Sequence, residues 1–93
     1  MINTITPLHS VNYDIAFIHI FHANKGDGLP RHEHAYAHLT MCHAGSIIVR
    51  KEGKELIMTK NTQPVNLVAF EWHEIEALED NTVFVNVFAE NKL

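Results

Sequence analysis

An all-β sandwich or barrel is the fold class that this sequence predicts. Three observations carry it. Apolar residues come in short runs rich in Ile, Val and Phe, turn-forming residues punctuate those runs, and no stretch shows helical periodicity. In chain order the expected strands cover about Asp14–Ala23, Tyr36–His43, Ser46–Lys51, Lys54–Thr59, Asn66–Phe70, Glu74–Leu78 and Thr82–Ala89. "NKGDGLP" at 24–30 reads as a loop. "KEGK" at 51–54 reads as a hairpin turn in which Gly53 supplies a positive φ. "NTQP" at 61–64 is a turn because Pro64 would remove a ladder hydrogen bond from a central strand. "EDN" at 79–81 is the last turn.

The first of these strands breaks the alternation expected of a one-sided strand. Ile15–Phe21 is apolar at both parities except at His19, which predicts cover on both faces, by the core and by a second copy of the chain. The alternative is an end strand with a mixed face.

Composition sets outer limits. The 93 residues read as one domain spanning 1–93, small enough that a metal or a partner subunit would help to stabilise it. Hydrophobic residues make up 46% and charged residues 19%, the balance of a folded chain. The net charge is −4 with histidine neutral, and the seven Lys and Arg are scattered, so no nucleic-acid footprint is present. One cysteine, Cys42, excludes an internal disulfide, and its inward parity suggests a small buried hydrophobe. The first twenty residues show no basic region followed by a cleavage signal, and no apolar run is long enough to span a bilayer as a helix. A cytoplasmic location without membrane contact is the expectation.

The chemistry concentrates in "GDGLPRHEHAYAHLTMCHAG" at 26–45, which holds four of the eight histidines. If residues 32–38 are extended, His32, His34 and His38 share one face and His43 points away. His32 and His34 would then stand roughly 6.6 Å apart by strand rise. Neutral imidazole is the commonest metal ligand and suits Zn, Fe, Ni and Cu. Three on one face make little sense for packing alone. A lone histidine on a strand is usually a surface or hydrogen-bonded core residue, and His9, His19, His22 and His43 are read that way.

This stretch resembles the first motif of the cupin superfamily: Gly, five residues, His-x-His, three or four residues, Glu, six residues, Gly. Gly26, His32, His34, His38 and Gly45 meet every spacing, with His38 in place of the glutamate. The second motif is much weaker. Its histidine aligns on His73, while Thr62, Val68, Phe70 and Ala77 fall where that motif has Gly, Pro, Gly and Asn. The resemblance covers residues 14 to 89 and implies a small antiparallel jelly-roll β-barrel. It also implies one divalent transition ion (Fe, Ni, Zn, Mn or Cu) held by His32, His34, His38 and His73. A fourth imidazole would leave the ion its formal charge of +2, where a carboxylate would cancel one unit. His38 could equally stay unbound, as a base beside a three-histidine site.

Around His73, the parity of Glu71 allows it to act as a supporting partner, while Glu74 and Glu76 are expected to face solvent. Tyr36 and Trp72 are candidates for the cavity rim. The resemblance implies two classes of function. One is a metal-dependent enzyme, such as a dioxygenase or isomerase, acting on a small organic and possibly anionic substrate. The other is a non-catalytic module that binds a metal or metabolite. Relatives of this kind often pair, so the resemblance also implies a homodimer.

Overall fold

The computed structural model describes residues 1–89, and within them no helix forms. Ten strands follow one another: β1 (Asn3–Thr4), β2 (His9–Tyr13), β3 (Ala16–Ala23), β4 (Asp27–His32), β5 (His38–Ala44), β6 (Ile47–Lys51), β7 (Lys54–Met58), β8 (Val65–Leu67), β9 (His73–Ala77) and β10 (Thr82–Phe88). They form two five-stranded sheets, ordered β1-β4-β9-β6-β7 and β2-β3-β10-β5-β8. All pairings are antiparallel except the short β1–β4 ladder. This is an all-β jelly roll, as expected.

Period-two patterning builds the interior. Along β10, Thr82, Phe84, Asn86 and Phe88 are buried while Val83, Val85 and Val87 are only partly covered. Along β9, His73, Ile75 and Ala77 point inward. Ile47, Val49, Leu67, Ile75 and Phe84 are fully buried, and Phe21 stacks on Phe84 with ring centroids 4.7 Å apart. Burying such side chains stabilises a domain by about 1.5–3 kcal/mol each, before the entropy of ordering them is subtracted.

Several strands differ from the sequence-based expectation. Asn3–Thr4 and His9–Tyr13 are strands that it missed; every residue of β2 is exposed, so no apolar alternation marks it. The segment read as a loop at 24–30 contains most of β4. Its pairing with β9 rests on close backbone approach: a Cβ at Gly28 would collide with the Ile75 carbonyl. Residues 32–38 are not one strand. His32 ends β4 in one sheet, His38 begins β5 in the other, and 33–37 cross between them.

The strand expected at Asn66–Phe70 ends at Leu67, and the chain then turns through Phe70 at φ +62°. The KEGK hairpin is as expected, with Lys51 opposite Lys54 and Gly53 at φ +76°. Ile15 lies outside β3 and is exposed.

Candidate metal centre

Two strands and one connection assemble the histidines. His32 and His73 are register partners across β4 and β9, so their rings lie 4.4 Å apart. His34 sits on the crossing segment, 5.3 Å from the His32 ring and 5.0 Å from that of His73. His38 reaches the same place from the opposite sheet, its ring 5.1 Å from His34 and 5.4 Å from His73. All four predicted residues therefore meet, though through a bridge between sheets rather than on one strand face. The candidate ligand nitrogens of His32, His34 and His73 lie within 4.8 Å of one another; His38 is not one of that group.

The hydrogen bonds set the tautomers. His32 Nδ1–H donates to the Pro30 carbonyl at 2.7 Å, His34 Nδ1–H to the Tyr36 carbonyl at 2.7 Å, and His73 Nδ1–H to the Glu71 carbonyl at 3.2 Å. A carbonyl only accepts, so the proton must be on Nδ1 and the lone pair on Nε2. Backbone support of this kind orients the imidazoles that hold metals. The His73 Nε2 is buried and has no hydrogen-bond partner among the described residues. A buried unpaired acceptor costs about 1–3 kcal/mol. Three converging lone pairs, one of them orphaned, fit a divalent ion that accepts nitrogen donors.

Burial adds to the case. It pushes the His38 and His73 pKa values down to about 4, and neighbouring imidazoles push the same way. Burial also lowers His34. Burial therefore favours the neutral form of His34, His38 and His73, the state that a ligand imidazole requires.

The connection is clamped from β9's side. Phe70 N–H donates to the His34 carbonyl at 2.8 Å. Phe70 holds the second-motif position where the cupin pattern has its Gly beside the histidine, and its φ of +62° is the conformation that favours glycine. Just past the far end of β5, Gly45 has φ +72° and abuts Thr82, which leaves no room for a Cβ.

Other candidates separate clearly. The Tyr36 ring stacks on His34 at 4.3 Å and lines the cavity beside the cluster, as expected of a rim residue. Trp72 instead carries the Arg31 guanidinium 4.1 Å above its ring. Glu71 supports His73 through its main-chain carbonyl, while its carboxylate faces Lys51 Nζ at 3.5 Å. Glu74 and Glu76 do not simply face solvent: both accept from Arg50 Nη1, at 2.8 and 2.9 Å. Cys42 is buried as expected, and burial raises its pKa, which makes a poor nucleophile. His9, His22 and His43 are exposed. His19 was read with them, yet it is buried and lines the cavity, as do Asn86 and Phe88. The available signal was parity: His19 alternates with Phe17 and Phe21, and Asn86 with Phe84 and Phe88.

The cavity has a volume of about 260 Å³. Its lining includes His32, His34 and His38 together with Leu29, Phe21 and Phe88. It contains no carboxylate among the described residues.

Solved structures share this fold. KdgF from Halomonas sp. matches with a TM-score of 0.77 over 86% of this chain and 74% of its own, at 16% identity. A cupin superfamily protein from Desulfitobacterium hafniense matches with a TM-score of 0.72 over 91% and 81%, at 11% identity. A cupin-2 domain containing protein from Shewanella frigidimarina matches with a TM-score of 0.68 over 86% and 79%, at 10% identity. No protein-family model matches the sequence, and no curated protein matches it. The likeness is one of fold, and the fold is that of the cupins.

Proposed function

We propose that this cupin-fold chain is a metal-dependent enzyme acting on a small oxygen-bearing organic substrate, as isomerases and dioxygenases do. The observation that carries this reading is the set of three Nε2 lone pairs on His32, His34 and His73, each turned toward the others by a backbone acceptor on its Nδ1. These three residues would hold a divalent transition ion (Fe, Ni, Zn, Mn or Cu). When bound, such an ion supplies Lewis-acid polarisation of a substrate oxygen, or O₂ chemistry if it is iron.

The chain's own residues do the rest. Leu29, Phe21 and Phe88 give the cavity apolar walls, and Tyr36 holds His34 in place by stacking. His38 is neutral, and its Nδ1 faces the Leu39 carbonyl, so Nε2 is the free base. What supports three ligands plus a base is that the candidate ligand nitrogens of His32, His34 and His73 lie within 4.8 Å of one another, while His38 stands outside that group. In that arrangement His38 Nε2 accepts a proton from the substrate and returns it at another atom. A four-imidazole holder is the competing arrangement.

A cavity without carboxylates also suits a non-catalytic binding module, and product analysis on the loaded protein separates that reading from an enzyme.

Part of this reading is a second copy of the chain on the outer face of the β2-β3-β10-β5 sheet. Val11, Ile18, Val87 and Leu39 form one cross-strand row there, and Ile20, Val85 and Met41 form the next. Val11 and Leu39 are each 42% exposed. The opposite sheet instead carries the charged Arg50, Glu74, Glu76 cluster, which is less suited to an apolar contact. Among the described residues no helix is long and apolar enough to cross a membrane. A cytoplasmic setting fits the single buried thiol.

Elemental analysis of untagged protein tests the centre. One transition ion per chain is expected, lost in His34→Ala and kept in His43→Ala. A His34→Ala protein with the parent's metal content would overturn the assignment.

A further inference from the structure

A polar row crosses the inner face of the second sheet. His19 on β3 is the register partner of Asn86 on β10, and Asn86 is the partner of Thr40 on β5. All three are buried. Thr40 in turn touches His38, so the row runs from a residue with no assigned role to the edge of the histidine cluster.

Its hydrogen-bond polarity can be worked out from the His38 end. His38 Nδ1 lies 3.4 Å from the Leu39 carbonyl and 3.2 Å from Thr40 Oγ1. The carbonyl can only accept, so Nδ1 carries the proton and Thr40 Oγ1 also accepts from it. The single Thr40 hydroxyl hydrogen then goes to Asn86 Oδ1, at 2.7 Å. That leaves the Asn86 amide nitrogen, a donor, as the group that Asn86 offers to the cavity it lines.

His19 offers the complement. Its ring meets Phe17, Phe88 and Phe21 edge-on, with centroids 4.9, 5.4 and 6.1 Å away. It is 7% exposed, and its Nε2 has no hydrogen-bond partner among the described residues. Burial lowers its pKa, so the ring is neutral and one nitrogen carries a lone pair. A phenylalanine would suit this aromatic nest better. The Phe88 ring stands 5.4 Å from His19 and 4.9 Å from His38, and all of them line the same cavity.

We infer that Asn86 and His19 form a hydroxyl-reading subsite, in which the amide N–H donates to a ligand hydroxyl oxygen and that hydroxyl donates to a ring nitrogen of His19. One donor and one acceptor, both uncharged, match a hydroxyl and mismatch a carboxylate or ammonium. The ligand class is a small hydroxy acid, with its carboxylate at the imidazole cluster and its hydroxyl one ring's breadth away, past Phe88. Only the carboxylate end rests on the metal-centre reading; the hydroxyl subsite needs no ion.

The test uses acetate, propionate and butyrate, each against its terminal hydroxy derivative, titrated into zinc-loaded protein by calorimetry. At least one hydroxy acid should bind about fivefold or more tightly than its parent acid, the worth of one net hydrogen bond. His19→Phe should abolish that preference, leave the parent acid's affinity unchanged and raise Tm, since it removes an unpaired buried nitrogen. His19→Leu serves as the second variant. In metal-free wild type, ethylene glycol at high concentration should still move the His19 ring nitrogens in long-range nitrogen–proton spectra. Glycol-induced shifts without any carboxylate binding would count against the metal centre and for the subsite. No hydroxyl preference in any pair together with unmoved His19 nitrogens would overturn the subsite, as would a preference that survives in His19→Phe.

Discussion

Acidifying the metal-free protein should unfold it through the histidine cluster. His38 and His73 are 4% and 1% exposed, and their folded pKa values are pushed down to about 4 from 6.5. An unfolded chain takes up protons on these residues near pH 6.5, while the folded chain resists until about pH 4. Their stability contribution is therefore complete above the unfolded value, is lost as pH falls through that window, and changes no further below it. Each residue contributes on the order of 3 kcal/mol over the full window. Because neighbouring charges lower both values, the two residues titrate as a coupled set, and their joint effect is on the order of 5 kcal/mol. The total stability of a chain this size is about 5–14 kcal/mol, so the effect is large. At about 4–8 °C per kcal/mol, Tm should fall by roughly 20 °C or more between about pH 7.5 and about pH 4.5. Thermal melts followed by circular dichroism in chelator give the curve directly. His38→Leu should flatten it by about half, since it removes one of the two groups. A Tm that moved by less than about 5 °C across that range would refute the burial argument.

Three further outcomes are expected. His38→Ala should keep one ion per chain and lose small-molecule turnover; loss of the ion instead would establish the four-imidazole holder. Phe70 pays for a left-handed conformation at 73% exposure, so Phe70→Gly should leave Tm unchanged or raise it, by up to about 1 kcal/mol in stability. A large fall would mean that the Phe70 ring, not its backbone, holds the His34 connection. Val87→Lys should shift light scattering from a dimer to a 10.6 kDa particle without changing metal content, and an unchanged dimer would place the interface elsewhere.

Seven of the ten strands were legible because their apolar residues carry the pattern themselves. "TVFVNVF" is a run of β-branched and aromatic residues, and the structure gives Thr82–Phe88 almost as read. β2 and β4 were not legible, for two different reasons. In β2 all five side chains are exposed, so nothing distinguishes inside from outside. In β4 the Gly and Pro that suggest a loop have separate reasons: pairing with β9 demands close backbone approach at Gly28, and Pro30 falls where the ladder shifts register between Leu29 and His32.

The site divides along the same line. The sequence by itself grouped His32, His34 and His38, through their crowding and a spacing that resembles the first cupin motif, and it joined His73 to them only through that resemblance. It did not determine how they meet. Their convergence depends on a crossing between sheets, on His73 arriving as the register partner of His32, and on main-chain carbonyls that fix each tautomer. His19 and Asn86 lie 67 residues apart in the chain and become neighbours only through the β3–β10 register. Spacing along a chain constrains groups that share one segment. Which groups face one another across a cavity is settled by strand pairing between distant segments, and that register exists only once the sheets have formed.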